Sequence, residues 1–317
     1  MQPTKISVIV TAYNHEPYIA QCLDGIIQQK GGFVLEAILG DDCSSDSTRR
    51  IMEDYRETYR DLFVLLPPTA NVGIQKNIRR CLAASTGAYI AFCEGDDYWT
   101  DDYKLQKQLQ FLQDHPHYSV CFHPVVMYLQ SENKYVLNSA QLLLSKDTLS
   151  TEDLIDDNPI CGFSSCMYSA AAVRGLPEGI FDIYTVDWMF NMACGRLGKI
   201  GCIRDWMSVY RIHGKGAWSG KSRAAQLRQQ LTHIDTYNRF FSYEYDERFR
   251  KLRERLYGQI IAEKARLYGR VFIKIYGSMA TLGRTVAITT IHLAGTTIAF
   301  VMRVRNRRAN VKNATHT

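Results

Sequence analysis

Apolar residues in this chain come in short blocks that each run into polar or acidic positions. Ile6-Ser7-Val8-Ile9-Val10 is the first and ends at Thr11-Ala12-Tyr13-Asn14. Helical spacing then puts Ile19, Cys22, Leu23, Ile26 and Ile27 on one face. Gly31-Gly32 breaks the chain before a second strand, Leu35–Leu39, which ends at Gly40-Asp41-Asp42. Ser45 or Asp46 can cap the helix that carries Ile51, Met52 and Tyr55. Leu62–Leu66 is a third strand closed by Pro67-Pro68, followed by a helix over Ile74 to Ala84 and a strand over 88–93. Strands alternating with helices predict an α/β fold with a parallel sheet and right-handed crossovers.

The fourth of these strands carries the strongest chemical signal. Gly87-Ala88-Tyr89-Ile90-Ala91-Phe92-Cys93 runs directly into Glu94-Gly95-Asp96-Asp97. In an open α/β sheet ligands bind at the carboxyl ends of the strands, and three successive strands here end in polar or acidic residues. Carboxylates gathered at that edge repel one another unless a cation joins them, and Mg2+ or Mn2+ is commonly held by one or two such oxygens plus substrate phosphates. A solvated acidic turn has the same local pattern.

Beyond this point the pattern predicts a helix over Tyr103 to Gln113, a strand over Ser119 to Leu129, a polar and poorly periodic stretch over 130–160, and a strand over 161–168. Leu227, Leu231, Ile234 and Tyr237 form a helical stripe, with more helix through 270.

Four segments in order carry a family resemblance: Ser7–Asn14, Gly40–Thr48, Asn71-Val72-Gly73 and Glu94–Asp97. Over about residues 5–220 the chain resembles glycosyltransferase family 2, inverting nucleotide-sugar transferases of the GT-A fold. The resemblance implies a Rossmann-like, mostly parallel sheet flanked by helices in a domain over 1–220, and the helical stripe and basic residues beyond it predict a helical, basic extension over 221–317. The resemblance also implies that Thr11, Tyr13 and Glu16 meet the nucleotide base and ribose. Asp42 would accept from a uracil or thymine imide N–H, Asn77 and Arg80 would face the nucleotide, Asp96 would hold the ribose, and Asp97 the metal. Tyr210-Arg211-Ile212-His213-Gly214 is similar to a segment that closes over the diphosphate. It makes His213 a metal-ligand candidate, and Arg211 and Lys215 diphosphate contacts. Asp187, just before the apolar run Trp188-Met189-Phe190, resembles the family's base, with a plain helix cap as the other reading and Asp182, then Asp156 and Asp157, as further candidates. Two positions depart from the pattern: Glu94 stands where Asp is frequent, and Thr11 where Pro is frequent. No Gln-x-x-Arg-Trp segment occurs, so the resemblance implies one sugar per encounter rather than processive synthesis.

Composition adds a compartment and a partner. The nine cysteines include no Cys-x-x-Cys pair and several sit in apolar runs, as expected of small buried hydrophobes in a reducing environment. Met1–Lys5 leads into the first strand with no apolar leader, so a cytoplasmic enzyme at the inner face of a membrane is expected. Residues 204–317 carry 22 Lys and Arg against 7 Asp and Glu, whereas 1–203 carry 16 against 25. The basic part suits an anionic membrane surface, and no nucleic-acid motif accompanies it. Residues 285–302 lack Asp, Glu, Lys and Arg and precede Arg303, Arg305, Arg307 and Arg308. Five threonines and a histidine make this a poor membrane span, and an interfacial helix with a basic end is expected, with a packed helix and then a true span as the alternatives.

The expected activity is metal-dependent, inverting transfer of one sugar from a UDP- or dTDP-linked donor to a glycan or lipid-linked acceptor in envelope polysaccharide synthesis. A nucleotide-sugar-binding module without a working base is the alternative. A nucleotidyltransferase should show a Gly-rich loop after the first strand, and Thr11–Glu16 is not one.

Overall fold

The computed structural model describes residues 3–277 apart from 69, 143, 185 and 186. Its strands among the described residues are β1 (Thr4–Ala12), β2 (Phe33–Asp41), β3 (Phe63–Leu65), β4 (Tyr89–Phe92), β5 (Tyr98–Trp99), β6 (Tyr118–Phe122), β7 (Val125–Leu129), β8 (Lys134–Leu137), β9 (Thr148–Leu149), β10 (Met167–Ser169), β11 (Lys199–Cys202) and β12 (Ser208–Ile212). The α-helices are α1 (Ile19–Ile27), α2 (Thr48–Thr58), α3 (Ile74–Ala84), α4 (Lys104–Asp114), α5 (Ser139–Leu142), α6 (Thr151–Asp156), α7 (Ala170–Arg174), α8 (Asp187–Gly195), α9 (Arg223–Phe240) and α10 (Asp246–Gly277).

Eight strands form one sheet in the order β3-β2-β1-β4-β10-β6-β11-β9. β1 is buried on both faces from Ile6 to Ala12 because it runs between β2 and β4, which is why it reads as a near-continuous apolar run rather than an alternating one. Ile6, Val8 and Val10 pack with Ile19, Cys22, Leu23 and Ile26 of α1 and with Leu105, Leu109 and Leu112 of α4. On β2, a side chain at Gly40 would stand 2.3 Å from Cys81 Sγ of α3, so glycine permits that close approach. Parallel pairing of Ala12 with Asp41 and of Ile9 with Phe92 delivers the ends of β1, β2 and β4 to one edge. The acidic residues after those strands therefore converge, as the ligand-edge argument requires.

The sheet is mixed rather than purely parallel. β10 runs antiparallel to both β4 and β6, and β9 antiparallel to β11. The strand predicted over 161–168 is confined to Met167–Ser169, since Gly162 adopts φ +74° and residues 163–165 make a 3-10 turn. The single strand predicted over 119–129 is two strands in two sheets. Pro124 has no N–H for a ladder, and the chain leaves the large sheet at His123-Pro124. β7 then joins a second sheet of order β5-β12-β7-β8, in which β12 is parallel to β7 and antiparallel to β5. The predicted polar stretch 130–160 holds β8, α5, β9 and α6.

The chain divides into two compact units, Met1–Tyr257 and Gly258–Thr317. In the first, α9 covers the approach to α8: Tyr184 stacks on His233 at 4.3 Å, and the Tyr237 hydroxyl donates to the Tyr184 carbonyl at 2.8 Å. The described part of the second continues α10 to Gly277. No helix among the described residues is long and apolar enough to cross a membrane. The segment 285–302 and its arginines lie outside the described residues.

Candidate active site

The loops after β1 and β2 are tied into one cradle. Asn14, at φ +57°, takes the Ser45 amide on its Oδ1 at 2.8 Å and gives its own amide to the Ser44 hydroxyl at 2.9 Å. The His15 amide donates to the Thr48 hydroxyl, the Glu16 amide to Asp46, and the Ser47 amide to the Glu16 carboxylate. Asp46 in turn accepts from the Thr48 amide at 3.0 Å, and so serves the start of α2. Thr11 is buried at the end of β1, and Tyr13 stands exposed beside it. Glu16 therefore pins the two loops together at their rim.

Asp42 is buried and uses one oxygen for the Val72 amide (2.8 Å) and the other for the Gly73 amide (2.9 Å). It fixes the Asn71-Val72-Gly73 turn against the end of β2, and each oxygen keeps a second lone pair for another donor. Asn77 is buried on α3, donating to the Gly40 carbonyl at 2.8 Å and accepting from Arg80 at 3.2 Å. Arg80 also reaches the Pro67 carbonyl at 2.8 Å. These two side chains brace the loops that carry Asp42.

The Asp96-Asp97 turn is held from β12. The Arg211 amide donates to Asp97 Oδ1 at 2.9 Å, Arg211 Nε to the Asp96 carbonyl at 2.9 Å, and its terminal nitrogen to Gln21 of α1 at 2.6 Å. The guanidinium lies 4.8 Å from the Tyr18 ring centre, 5.2 Å from Tyr98 and 5.5 Å from Tyr128. Arg211 is buried in these contacts, whereas Lys215 is exposed. His213 Nε2 lies 3.1 Å from Asp96 Oδ2, and His15 Nε2 lies 3.8 Å from the same oxygen. Gly95 makes this possible, because a side chain there would come within 2.8 Å of His15 Nδ1.

Across the turn, the Glu94 carboxylate accepts the Phe163 amide at 3.2 Å, and Asp187 Oδ2 accepts the Gly162 amide at 3.3 Å. Asp187 opens α8, and Asp182 ends a preceding 3-10 turn. Asp156 forms an ion pair with Arg248 of α10.

The charge balance of this cluster is unfavourable to its own carboxylates. Burial, then the Asp96 charge, pushes the Asp97 carboxyl well above the ordinary range. Burial, then Asp97, Asp96 and Asp187, does the same to Glu94. Burial raises Asp187 to about 6 against three backbone donors. Asp96 goes the other way: burial alone would raise it, but the His213 hydrogen bond and the nearby imidazoles bring it below its usual value. Asp97 Oδ2 and His213 Nδ1 are buried with no hydrogen bond of their own, although the Ser164 hydroxyl is near enough to temper the Asp97 charge. Such an oxygen beside an acidic neighbour fits a hard divalent cation. No three His, Cys, Asp or Glu side chains among the described residues form a ready-made cage, so a cation there would need ligands beyond protein side chains, such as diphosphate and water oxygens.

The structure thus gathers Thr11, Tyr13, Glu16, Asp42, Asp96, Asp97, His213 and Asp187 at one edge of the sheet. Asn77, Arg80 and Arg211 hydrogen-bond to the loops and the turn that carry Asp42, Asp96 and Asp97. His15, Tyr18, Gln21, Gly162 and Ser164 are the residues that sequence reasoning missed. The only trace of them was Gly162, a glycine inside a predicted strand, which marks a bend.

The Glycosyl transferase family 2 model matches residues 7–175. An uncharacterized protein of Mycobacterium tuberculosis is 35% identical over 216 residues, 67% of this chain and 60% of that protein. This chain thus spans about 60% of the length of the mycobacterial relatives it matches at 35% identity. Poly(ribitol-phosphate) beta-N-acetylglucosaminyltransferase TarS of Staphylococcus aureus is 34% identical over 114 residues, 35% of this chain and 19% of TarS. The structure of TarS 1-349 with UDP-GlcNAc superposes with a TM-score of 0.54 at 21% identity, covering 73% of this chain and 66% of that one. Mannosyltransferase PcManGT from Pyrobaculum calidifontis, solved with GDP-Man and Mn2+, gives a TM-score of 0.59 at 18% identity over 95% of this chain and 81% of its own. The structural likenesses establish the GT-A-like fold, and the family match over more than half of the sequence establishes that the chain belongs to glycosyltransferase family 2.

Proposed function

We propose that the chain transfers one sugar, with inversion, from a uridine- or thymidine-diphosphate donor to a hydroxyl of a glycan or lipid-linked acceptor. The observation that carries the reading is the pair formed by Asp97, with a buried oxygen lacking a hydrogen bond, and Asp187, raised to about 6, at one sheet edge. The cradle of Thr11, Tyr13, Glu16 and Asp42 receives the nucleoside, and Asp96 the ribose. Asp187 takes the acceptor proton as the hydroxyl attacks the anomeric carbon on the face opposite the departing nucleoside diphosphate, an effect typically worth roughly 10²–10⁴ in rate. Asp97, with His213, would hold Mn2+ or Mg2+, which when bound supplies positive charge to the leaving diphosphate. TarS by its name acts on a poly(ribitol-phosphate), and that similarity supports an acceptor in envelope polysaccharide synthesis.

A screen of uridine-, thymidine- and guanosine-linked sugars for donor hydrolysis with Mn2+ tests the reading. Turnover should need the cation, disappear in excess chelator and nearly vanish in Asp97→Asn. Uridine diphosphate should bind more tightly than guanosine diphosphate by calorimetry. Full activity in chelator would remove the metal from the mechanism, and tighter guanosine diphosphate binding would remove the imide role of Asp42.

A further inference from the structure

Glu94 is one methylene longer than the aspartate frequent at its position, and that length is used. Its Oε2 accepts the Phe163 amide at 3.2 Å, while the amide of the neighbouring residue, Gly162, donates to Asp187 Oδ2 at 3.3 Å. Two carboxylates thus grip successive N–H groups of one turn. The turn is fixed to the Glu94 segment elsewhere as well. The Glu94 amide donates to the Ser164 hydroxyl at 2.9 Å, Trp99 Nε1 to the Ser164 carbonyl at 3.0 Å, and the Phe163 ring stacks on Phe92 at 4.7 Å. Gly162 holds φ +74°, and a side chain on it would stand 3.2 Å from Glu94 Oε2 and 3.4 Å from the Tyr210 ring. The turn therefore passes through a slot whose width is set by Glu94 on one side and β12 on the other.

We infer that Glu94 is a positioning residue for Asp187: through the Gly162-Phe163 peptide it fixes where the base stands relative to the Asp96-Asp97 turn. The inference rests on the reading of Asp187 as the base. It assigns Glu94 a role through length and hydrogen bonding, not through charge on a cation or phosphate. An aspartate would retain the charge and fall short of the Phe163 amide. A glutamine would lose the charge and keep both the length and a carbonyl oxygen that accepts from it.

The two substitutions accordingly rank in opposite order under the two roles. For a positioning role, Glu94→Asp should lower kcat roughly ten- to a hundredfold, the scale of a small misplacement of a reacting group. Donor KM and uridine diphosphate affinity should then stay within about twofold, the pattern of an interaction lost only in the transition state. Glu94→Gln should stay close to the parent protein in all three. Hydrogen exchange over residues 160–168 supplies a readout independent of turnover: the segment should exchange faster in Glu94→Asp and unchanged in Glu94→Gln. A Glu94→Gln protein that loses activity or nucleotide binding while Glu94→Asp keeps them overturns the inference. So does equal exchange in all three proteins. Should Glu94→Asp fail to fold, Gly162→Ala presses on the same slot and should give the same loss confined to kcat. A silent Gly162→Ala overturns the inference too.

The Asp187→Asn background separates the two layers. If Glu94 acts through Asp187, Glu94→Asp costs nothing further there. If Asp187→Asn alone keeps transfer within about tenfold, the base assignment itself fails. If Asp187→Asn is inactive and Glu94→Asp is without effect on the parent enzyme, only the inference about Glu94 fails.

Discussion

Asp187 occupies a helix start, where an aspartate is ordinarily a stabilised anion. Here burial outweighs its backbone donors and lifts its carboxyl to about 6. A base must be ionised to act, so transfer should fall as pH drops through about 6, with a slope of one proton. Asp187→Asn should abolish transfer and leave uridine diphosphate affinity near that of the parent protein, because the proposed base would act on the acceptor and not on the donor. The same shift has a stability consequence. The folded-state value lies above the ordinary one near 3.9, so this group favours the fold fully below about pH 3.9 and loses that contribution as pH rises through about 6. Asp187→Asn should therefore melt higher than the parent protein at pH 8, with the difference shrinking towards pH 4. A melting series across that range checks the sign. The sequence made Asp187 visible through its place before an apolar run. Its raised carboxyl was not legible, because it comes from burial within the folded chain, and even the Gly162 amide that tempers it lies 25 residues away in the sequence.

At the scale of elements, local patterning was enough wherever one strand or helix answers to one core. β1, β2, α3 and α4 lie where apolar periodicity put them, and α3 spans Ile74–Ala84 as read. It failed where a segment changes partners. Residues 119–129 look like one strand because both halves are apolar, yet Pro124 sends the second half into another sheet. That second sheet explains Arg211. Sequence similarity made it a diphosphate contact, and the structure encloses its guanidinium among Tyr18, Tyr98, Tyr128 and Gln21 while its amide and Nε hold the Asp96-Asp97 turn. Lysine cannot reproduce that fork. Arg211→Lys should lose about 1.5–3 kcal/mol in denaturant unfolding, the scale of hydrogen bonds to a charged group. Gln21→Ala should lose part of the same energy, and the two should not add. If Arg211→Lys is as stable as the parent protein yet binds uridine diphosphate poorly, the guanidinium serves the diphosphate directly.

For the whole molecule the deciding feature is the division of charge. The acidic portion holds the sheet edge and its site, while residues 204–317 carry an excess of 15 positive charges. Every side chain of the candidate site lies between Thr11 and Lys215, upstream of the uncharged segment 285–302 and the arginines after it. Deleting residues 284–317 should thus leave metal-dependent donor hydrolysis measurable and release the protein from anionic vesicles. Two terms would hold the full chain to such a surface. Apolar side chains inserted at the headgroups give partial affinity, and basic ones add about 1 kcal/mol each near an anionic leaflet, screened by salt. Flotation with phosphatidylserine-containing vesicles at low and high salt, on the full-length and truncated chains, separates them. Binding that weakens in salt and vanishes on truncation is the expected result. A full-length chain that never floats makes the tail a packing or oligomerisation element. One that floats equally in strong salt and resists carbonate extraction spans the bilayer, and the interfacial reading of 285–302 falls.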